Sequence, residues 1–377
     1  GGNELNKGTV FVGCVLLLIT ACGGEQAEAV PEAELEVIQL SVTDTIGIEL
    51  GDTCYVFGYV ADAARTDSII YALDMSYAQL KKYTPQGEYS GFIGGRGNGP
   101  GELVMPHWLE LFPDGSMIIQ DITDLGLYDS SGEWLSHIFV HSGNWSTQHT
   151  ATGPETFVVR WHEFIHEPSH ILRQFIAGYD LEGELLVEFM TDSIRIPVEP
   201  EDNTDALNRM MFSHYFAGDL DGNLYLVKRH IPEYRIVCHA PDGIAFDTLS
   251  LDLPVTYKTE EEIALEKQHT EEYLTGMGTS NVMQWIYEPD TFRAPIDGIW
   301  LGWEGNLWVL RGTEDKPVFD IWSIPDGELL YRAELDLEIL PAEFLTFYIN
   351  PWCRDFIAVH ENEGMVQRIL LIGAEYP

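Results

Sequence analysis

The residues whose type and spacing could do chemistry most directly are three histidines in His162-Glu-Phe-Ile-His166-Glu-Pro-Ser-His170. Imidazole carries protons near neutral pH and is a common metal ligand. A zinc-protease helix needs His-Glu-x-x-His. His162-Glu-Phe-Ile-His166 has that spacing, but Pro168 follows two residues on and opposes the helix the motif requires, so a zinc-protease helix is not expected here. The segment reads either as a weak metal site of His162, His166 and His170 or as a hydrogen-bonded, solvated loop. A divalent metal is the only cofactor these residues suggest.

Other constellations are weaker. Gly95 to Gly101 holds four glycines and Pro100, a loop with several positions free to take positive φ. It is not a phosphate loop: no Lys-Ser/Thr follows, and Pro100 and Pro106 break the helix such a loop opens onto. Asp219-Leu-Asp221-Gly-Asn223 starts like a calcium loop, lacks its spacing and its closing Glu, and reads as a turn. Trp285, Trp300, Trp303 and Trp308 could stack on a sugar, although Trp300 and Trp308 sit in strand patterns that read as core. There is no serine nucleophile elbow.

The elements that position these residues are strands. The 377 residues are 45% hydrophobic and 12% aromatic, enough for a packed core. The net charge of −41 repels phosphate backbones and anionic lipid, so nucleic-acid binding is excluded as a function class. A unit recurs in which an apolar strand follows a polar turn and a later strand pair turns at a glycine. Ser68-Ile-Ile-Tyr leads to Gln86-Gly87, Ser116-Met-Ile-Ile to Ser131-Gly132, and Thr156-Phe-Val-Val to Glu182-Gly183. Asn223-Leu-Tyr-Leu leads to Asp242-Gly243, Asn306-Leu-Trp-Val to Asp326-Gly327, and Asp355-Phe-Ile-Ala begins a last copy. Repeats of this kind predict an all-β fold, a six-bladed β-propeller of four-stranded antiparallel blades. The last copy lacks a fourth strand, and the strand-like segment 35–50 is expected to supply it and close the ring.

The order Gly97-Asn-Gly-Pro-Gly-Glu102, Pro113-Asp-Gly115, Tyr128-Asp-Ser-Ser-Gly132 resembles the bacterial 6-bladed β-propeller lipoproteins, relatives of NHL-repeat propellers. The likeness spans about residues 35–377 and implies the fold rather than an activity. Some NHL-like propellers are lyases that use histidine and a metal on one face. The apolar run 10–20 is too short to span a bilayer and ends in Ile19-Thr20-Ala21-Cys22-Gly23, which resembles the lipobox. That resemblance implies a signal peptide over 1–21, lipid attachment at Cys22, a polar tether over 22–34 and a place in the bacterial cell envelope, periplasmic or on the outer surface. A start trimmed or miscalled upstream is expected from the missing initiator Met and from Glu4. Membrane contact is expected through the lipid alone, and the protein as a monomer.

In such a meander the long loops gather on one face: 94–103, 162–169, and the inserts 191–212 and 254–295. Thr259 and Glu262 form a capping box for a helix over about 259–275. Arg96, Arg160, His162, His166, His214, His230 and His360 map to this face and are the candidate ligand-binding residues. Cys54, Cys238 and Cys353 are expected as free thiols. Three functions fit: a binding or scaffold module for an unknown protein, small molecule or glycan; a metal-assisted lyase or hydrolase; and a carbohydrate-binding component. Non-enzymatic binding is preferred.

Overall fold

The computed structural model describes residues 35–122, 124–140, 145–165, 171–195, 213–276, 288–340 and 343–375. Cys22 with its signal and tether, His141, His166, His170, Trp285 and most of the insert 191–212 lie outside the described residues.

After β1 (Glu36–Ile46), the strands β2 (Val60–Arg65), β3 (Ile70–Asp74), β4 (Gln79–Tyr83) and β5 (Tyr89–Gly94) form a four-stranded antiparallel meander. A second comprises β6 (Pro106–Leu111), β7 (Met117–Asp121), β8 (Asp124–Tyr128) and β9 (Trp134–Ile138). A third comprises β10 (Trp145–Ala151), β11 (Thr156–Ile165), β12 (Ile171–Asp180) and β13 (Leu185–Arg195). A fourth comprises β14 (His214–Gly218), β15 (Leu224–Lys228), β16 (Tyr234–His239) and β17 (Ala245–Leu251). The rest join one eight-stranded sheet. Its order runs through β18 (Ile296–Leu301), β19 (Leu307–Arg311), β20 (Val318–Ser323) and β21 (Glu328–Leu335) to β1, and from there to β24 (Gln367–Glu375), β23 (Phe356–Glu361) and β22 (Phe344–Tyr348).

Packing follows from strand composition. Second strands such as Ile70–Asp74 are buried along their whole length, so they carry continuous apolar runs. Outer strands such as β9 alternate between exposed and covered residues, as one-sided strands do. The apolar clusters lie between neighbouring sheets. Leu73 and Leu80 pack with Met117 and Ile119, and Ile118 packs with Phe157 and Trp161. Ile176 meets Phe216, and Val227 meets Val309. Ile70 and Ala72 meet Ile357 and Ile369, which returns the packing to its start. The first strands adjoin in the same succession, with β2 against β6, β6 against β10, β10 against β14, β14 against β18, and β22 against β2. The result is a propeller-like arrangement of antiparallel sheets about a common axis.

β1 pairs antiparallel with β24, Leu40 opposite Ala374 and Ile46 opposite Ile369, as the repeat count predicts. It also runs parallel to β21, with Ile38 opposite Ala333. The turns between third and fourth strands owe their shape to one side chain. Asp129 Oδ1 accepts the amides of Ser131 and Glu133 at 2.9 Å each, and Asp180 Oδ1 accepts those of Glu182 and Glu184 at 3.1 and 2.8 Å.

The glycine-rich stretch joins β5 to β6. Gly94 has φ +86°, and a Cβ there would lie 2.5 Å from Leu103 Cδ1, the buried side chain that plugs the joint. Glu102 folds back to accept the Gly99 amide at 2.8 Å. These glycines are architecture.

The helix α1 (Glu260–Gly276) has the expected box: the Glu262 amide donates to Thr259 Oγ1 at 3.2 Å and the Thr259 amide to Glu262 Oε2 at 2.7 Å. Two expected loops are shorter than expected. β11 and β12 stay paired as far as Ile165 opposite Ile171, and β13 continues to Arg195. Residues 162–165 and 191–195 therefore belong to strands, because the ladder satisfies their backbone groups. Cys54 lies in the loop before β2. All three described cysteines are free thiols.

Candidate functional site

The first strands enclose an axial cavity of about 740 Å³. Its wall is tied together from sheet to sheet by side chains. Asp62 Oδ2 accepts the Leu109 amide at 2.7 Å, and Glu110 accepts that of Ala151. Gln148 Nε2 donates to the Phe216 carbonyl at 2.7 Å, and the Tyr215 hydroxyl donates to Asp297 Oδ1 at 3.1 Å. Each bond crosses from one first strand to the next, so the polar residues that line the hole also clamp it.

At one mouth several groups converge. Arg160, from β11, is 6% exposed and donates through Nη1 to the carbonyl of His214 at 2.5 Å. Burial, with Arg229 nearby, lowers its pKa to about 10. Arg229 follows β15 directly and lies 4.5 Å over the ring of Tyr215. His214 opens β14, and burial with the Arg160 and Lys228 charges pushes its pKa down to about 4, so the ring is neutral at pH 7. Gln174 Nε2 donates to Ser213 Oγ at 2.9 Å, and Ser213 Oγ is hydrogen-bonded to His214 Nδ1 at 2.7 Å. Asp297, open to the cavity, has its pKa raised by the surrounding protein, against the pull of Arg229 and the Tyr215 bond.

No family model matches the chain, and no curated protein matches it in sequence. Solved structures resemble it in shape. An exported protein of Bacteroides fragilis is 12% identical with a TM-score of 0.49, the match covering 90% of this chain and 100% of that one. A calcium-binding protein of Agrobacterium tumefaciens, regucalcin, is 12% identical with a TM-score of 0.44, over 90% and 97%. A gluconolactonase of Xanthomonas campestris is 9% identical with a TM-score of 0.42, over 88% and 98%. At these values no activity transfers to this chain.

Of the residues singled out in the sequence, Arg160 and His214 meet at the cavity. The other described ones stand elsewhere. Arg96 is at the glycine-rich loop, where Nη2 donates to the Ser76 carbonyl at 2.8 Å. His162 is a buried ladder residue whose Nε2 meets Gln174 Oε1 at 3.2 Å. His230 pairs with Asp290 at 2.7 Å and His360 with Glu343 at 3.3 Å. Among the described residues no three His, Cys, Asp or Glu side chains stand together as a metal site. Asp219 makes the expected turn, accepting the Asp221 and Asn223 amides at 2.9 Å each. Trp308 is core, whereas Trp300 lines the cavity while packing on Phe319 and Phe347.

Sequence reasoning missed Asp62, Glu110, Tyr215, Arg229 and Asp297. A signal existed: the strand preceding several of the recognised apolar runs carries one polar residue amid apolar ones, as in Val60-Ala-Asp62-Ala and Trp108-Leu-Glu110-Leu.

The buried carboxyl of Asp62 gives a pH test. Burial raises its pKa from 3.8 to about 8. Between those values the folded chain holds a proton that the unfolded chain has released, so stability falls as pH rises through 8. Glu110, raised to about 7 by burial, adds to the fall only up to that pH, and channel water screens it because it is half-open. His149 and His214, lowered to about 3 and 4 mainly by burial, act in the opposite sense and only below the ordinary histidine pKa of about 6.5. From pH 6.5 to 8 wild type should therefore lose up to about 1.4 kcal/mol per pH unit for each group still titrating. Asp62→Asn should flatten that slope in urea titrations. An unchanged slope removes Asp62 as its source.

Proposed function

We propose that this protein is a lipid-anchored, extracytoplasmic binding module, held at a bacterial membrane through Cys22, that takes a small ligand into its axial cavity. On this reading the ring has six blades, and the eight-stranded sheet is two of them fused through β1, which completes the last. The observation that carries the proposal is the cavity. Its volume of about 740 Å³ lies in the range of small-molecule sites, and its wall mixes aromatic rings with a few convergent polar groups. Trp108 and Trp300 on that wall keep a glycan among the ligands.

The test starts from protein extracted from membranes, in which mass spectrometry is expected to find acyl chains on Cys22. Thermal shift against a panel of neutral and charged metabolites and oligosaccharides should then give hits with the native chain. The hits should vanish in Thr346→Trp, which fills the cavity from an exposed position on β22. A ligand bound at 100 times its Kd stabilises by about 2.7 kcal/mol, an easily read shift. Hits that survive in Thr346→Trp place binding outside the cavity, and an unacylated Cys22 removes the anchor.

A further inference from the structure

Resting on the reading that the cavity binds a ligand, we infer that the ligand is an organic carboxylate, seated with its anionic group on Arg229 beside Arg160 and His214. The warrant is a count of donors and acceptors. Acidic groups lining the cavity already accept from the protein: Asp62 from the Ala63 and Leu109 amides, Glu110 from the Ala151 amide, Asp297 from the Tyr215 hydroxyl, and Glu361 from Gln367 Nε2. The guanidinium of Arg229 has no such complement. Among the described residues it covers the Tyr215 ring and has no carboxylate in an ion pair and no acceptor in a hydrogen bond.

Two guanidinium groups close enough to depress one of them share this wall with the neutral imidazole of His214. The unmatched guanidinium of Arg229 and the like charge beside it are what an anion relieves. A guanidinium fork matches the two oxygens of a carboxylate. Asp297 and Glu361 stand on the same cavity, so a single negative charge is tolerated better than the double charge of a phosphate ester. Trp108 and Trp300 supply apolar surface for the organic body. The overall charge of −41 opposes approach of an anion, but that field is screened beyond about 8 Å at physiological ionic strength.

Calorimetric titration of the full chain with acetate, succinate, benzoate and glucuronate, and with glucose and glucose 6-phosphate, tests this. At least one carboxylate should bind, glucuronate should bind at least tenfold tighter than glucose, and glucose 6-phosphate should bind more weakly than glucuronate. Arg229→Gln should lower carboxylate affinity tenfold or more, Arg229→Lys should recover part of it, and Arg96→Gln should change nothing. Glucose binding as tightly as glucuronate, tighter binding of the phosphate, or an Arg229→Gln protein with native affinity overturns the inference and leaves the cavity reading standing. Failure of all four carboxylates also overturns it. Neutral hits lost in Thr346→Trp then show that the cavity reading survives, and their absence shows that it falls too.

Discussion

A chain lacking residues 35–46 is expected not to hold a stable fold. β1 buries Ile38, Leu40 and Ile46, which are 1%, 3% and 3% exposed. Burying three such side chains is worth roughly 5–9 kcal/mol, against a total stability of about 5–15 kcal/mol for a typical protein. Deletion also strips the partner from two strands at once, since β1 is hydrogen-bonded to both β21 and β24. Both would become open edges available to other chains. The expected result is a protein that aggregates or unfolds without a cooperative transition in urea, followed by circular dichroism. Leu40→Ala, which keeps the strand, should cost about 2–5 kcal/mol. A truncated protein with the native midpoint would refute the role of β1 as the closing strand.

The second large effect is expected at Lys81. Its side chain is 2% exposed and its ammonium lies 3.1 Å from Asp74 Oδ2, itself fully buried. The ammonium also donates to the carbonyls of Thr53 and Val56 at 3.1 and 2.8 Å and lies 4.4 Å over the ring of Tyr77. Asp74 in turn accepts the amides of Gly58 and Tyr77 at 3.1 and 3.2 Å. This pair therefore pins the loop that leads from β1 into β2. Lys81→Met leaves a buried carboxylate without its cation and should cost about 3–5 kcal/mol. Asp74→Asn in the same chain should restore part of the loss, because no uncompensated charge remains. Alkylation of Cys54, which sits in the pinned loop, should quicken in Lys81→Met. A variant within 1 kcal/mol of wild type in urea would show that the backbone amides alone suffice for Asp74.

Much of the scaffold is written locally. The apolar runs found in the sequence lie in second strands, residues 70–73 of β3 and 224–227 of β15, which are covered on both faces and hence unbroken by polar residues. The glycines ending each copy, Gly87, Gly132, Gly183, Gly243 and Gly327, all have positive φ. Thr259 and Glu262 cap α1 across three residues. Periodicity, turn chemistry and capping act within a few residues of chain, which is why they can be read without the fold.

The site is another matter. Its first strands border a hole rather than a second sheet, so Asp62, Glu110, Gln148 and Asp297 interrupt their apolar runs and obscure them as strands. His162 lies in the histidine motif, yet a ladder extending to Ile165 opposite Ile171 buries it within β11. Arg160 from the middle of β11, His214 at the start of β14 and Arg229 just after β15 are brought together only by the succession of sheets. By itself the sequence determined an all-β repeat, its turns, its capped helix and the segment that pairs with β24, because each is set by neighbouring residues or by a missing strand. Only the tertiary structure decided which polar residues share the cavity and that β1 also joins β21, since both depend on strands far apart in sequence being carried to one place.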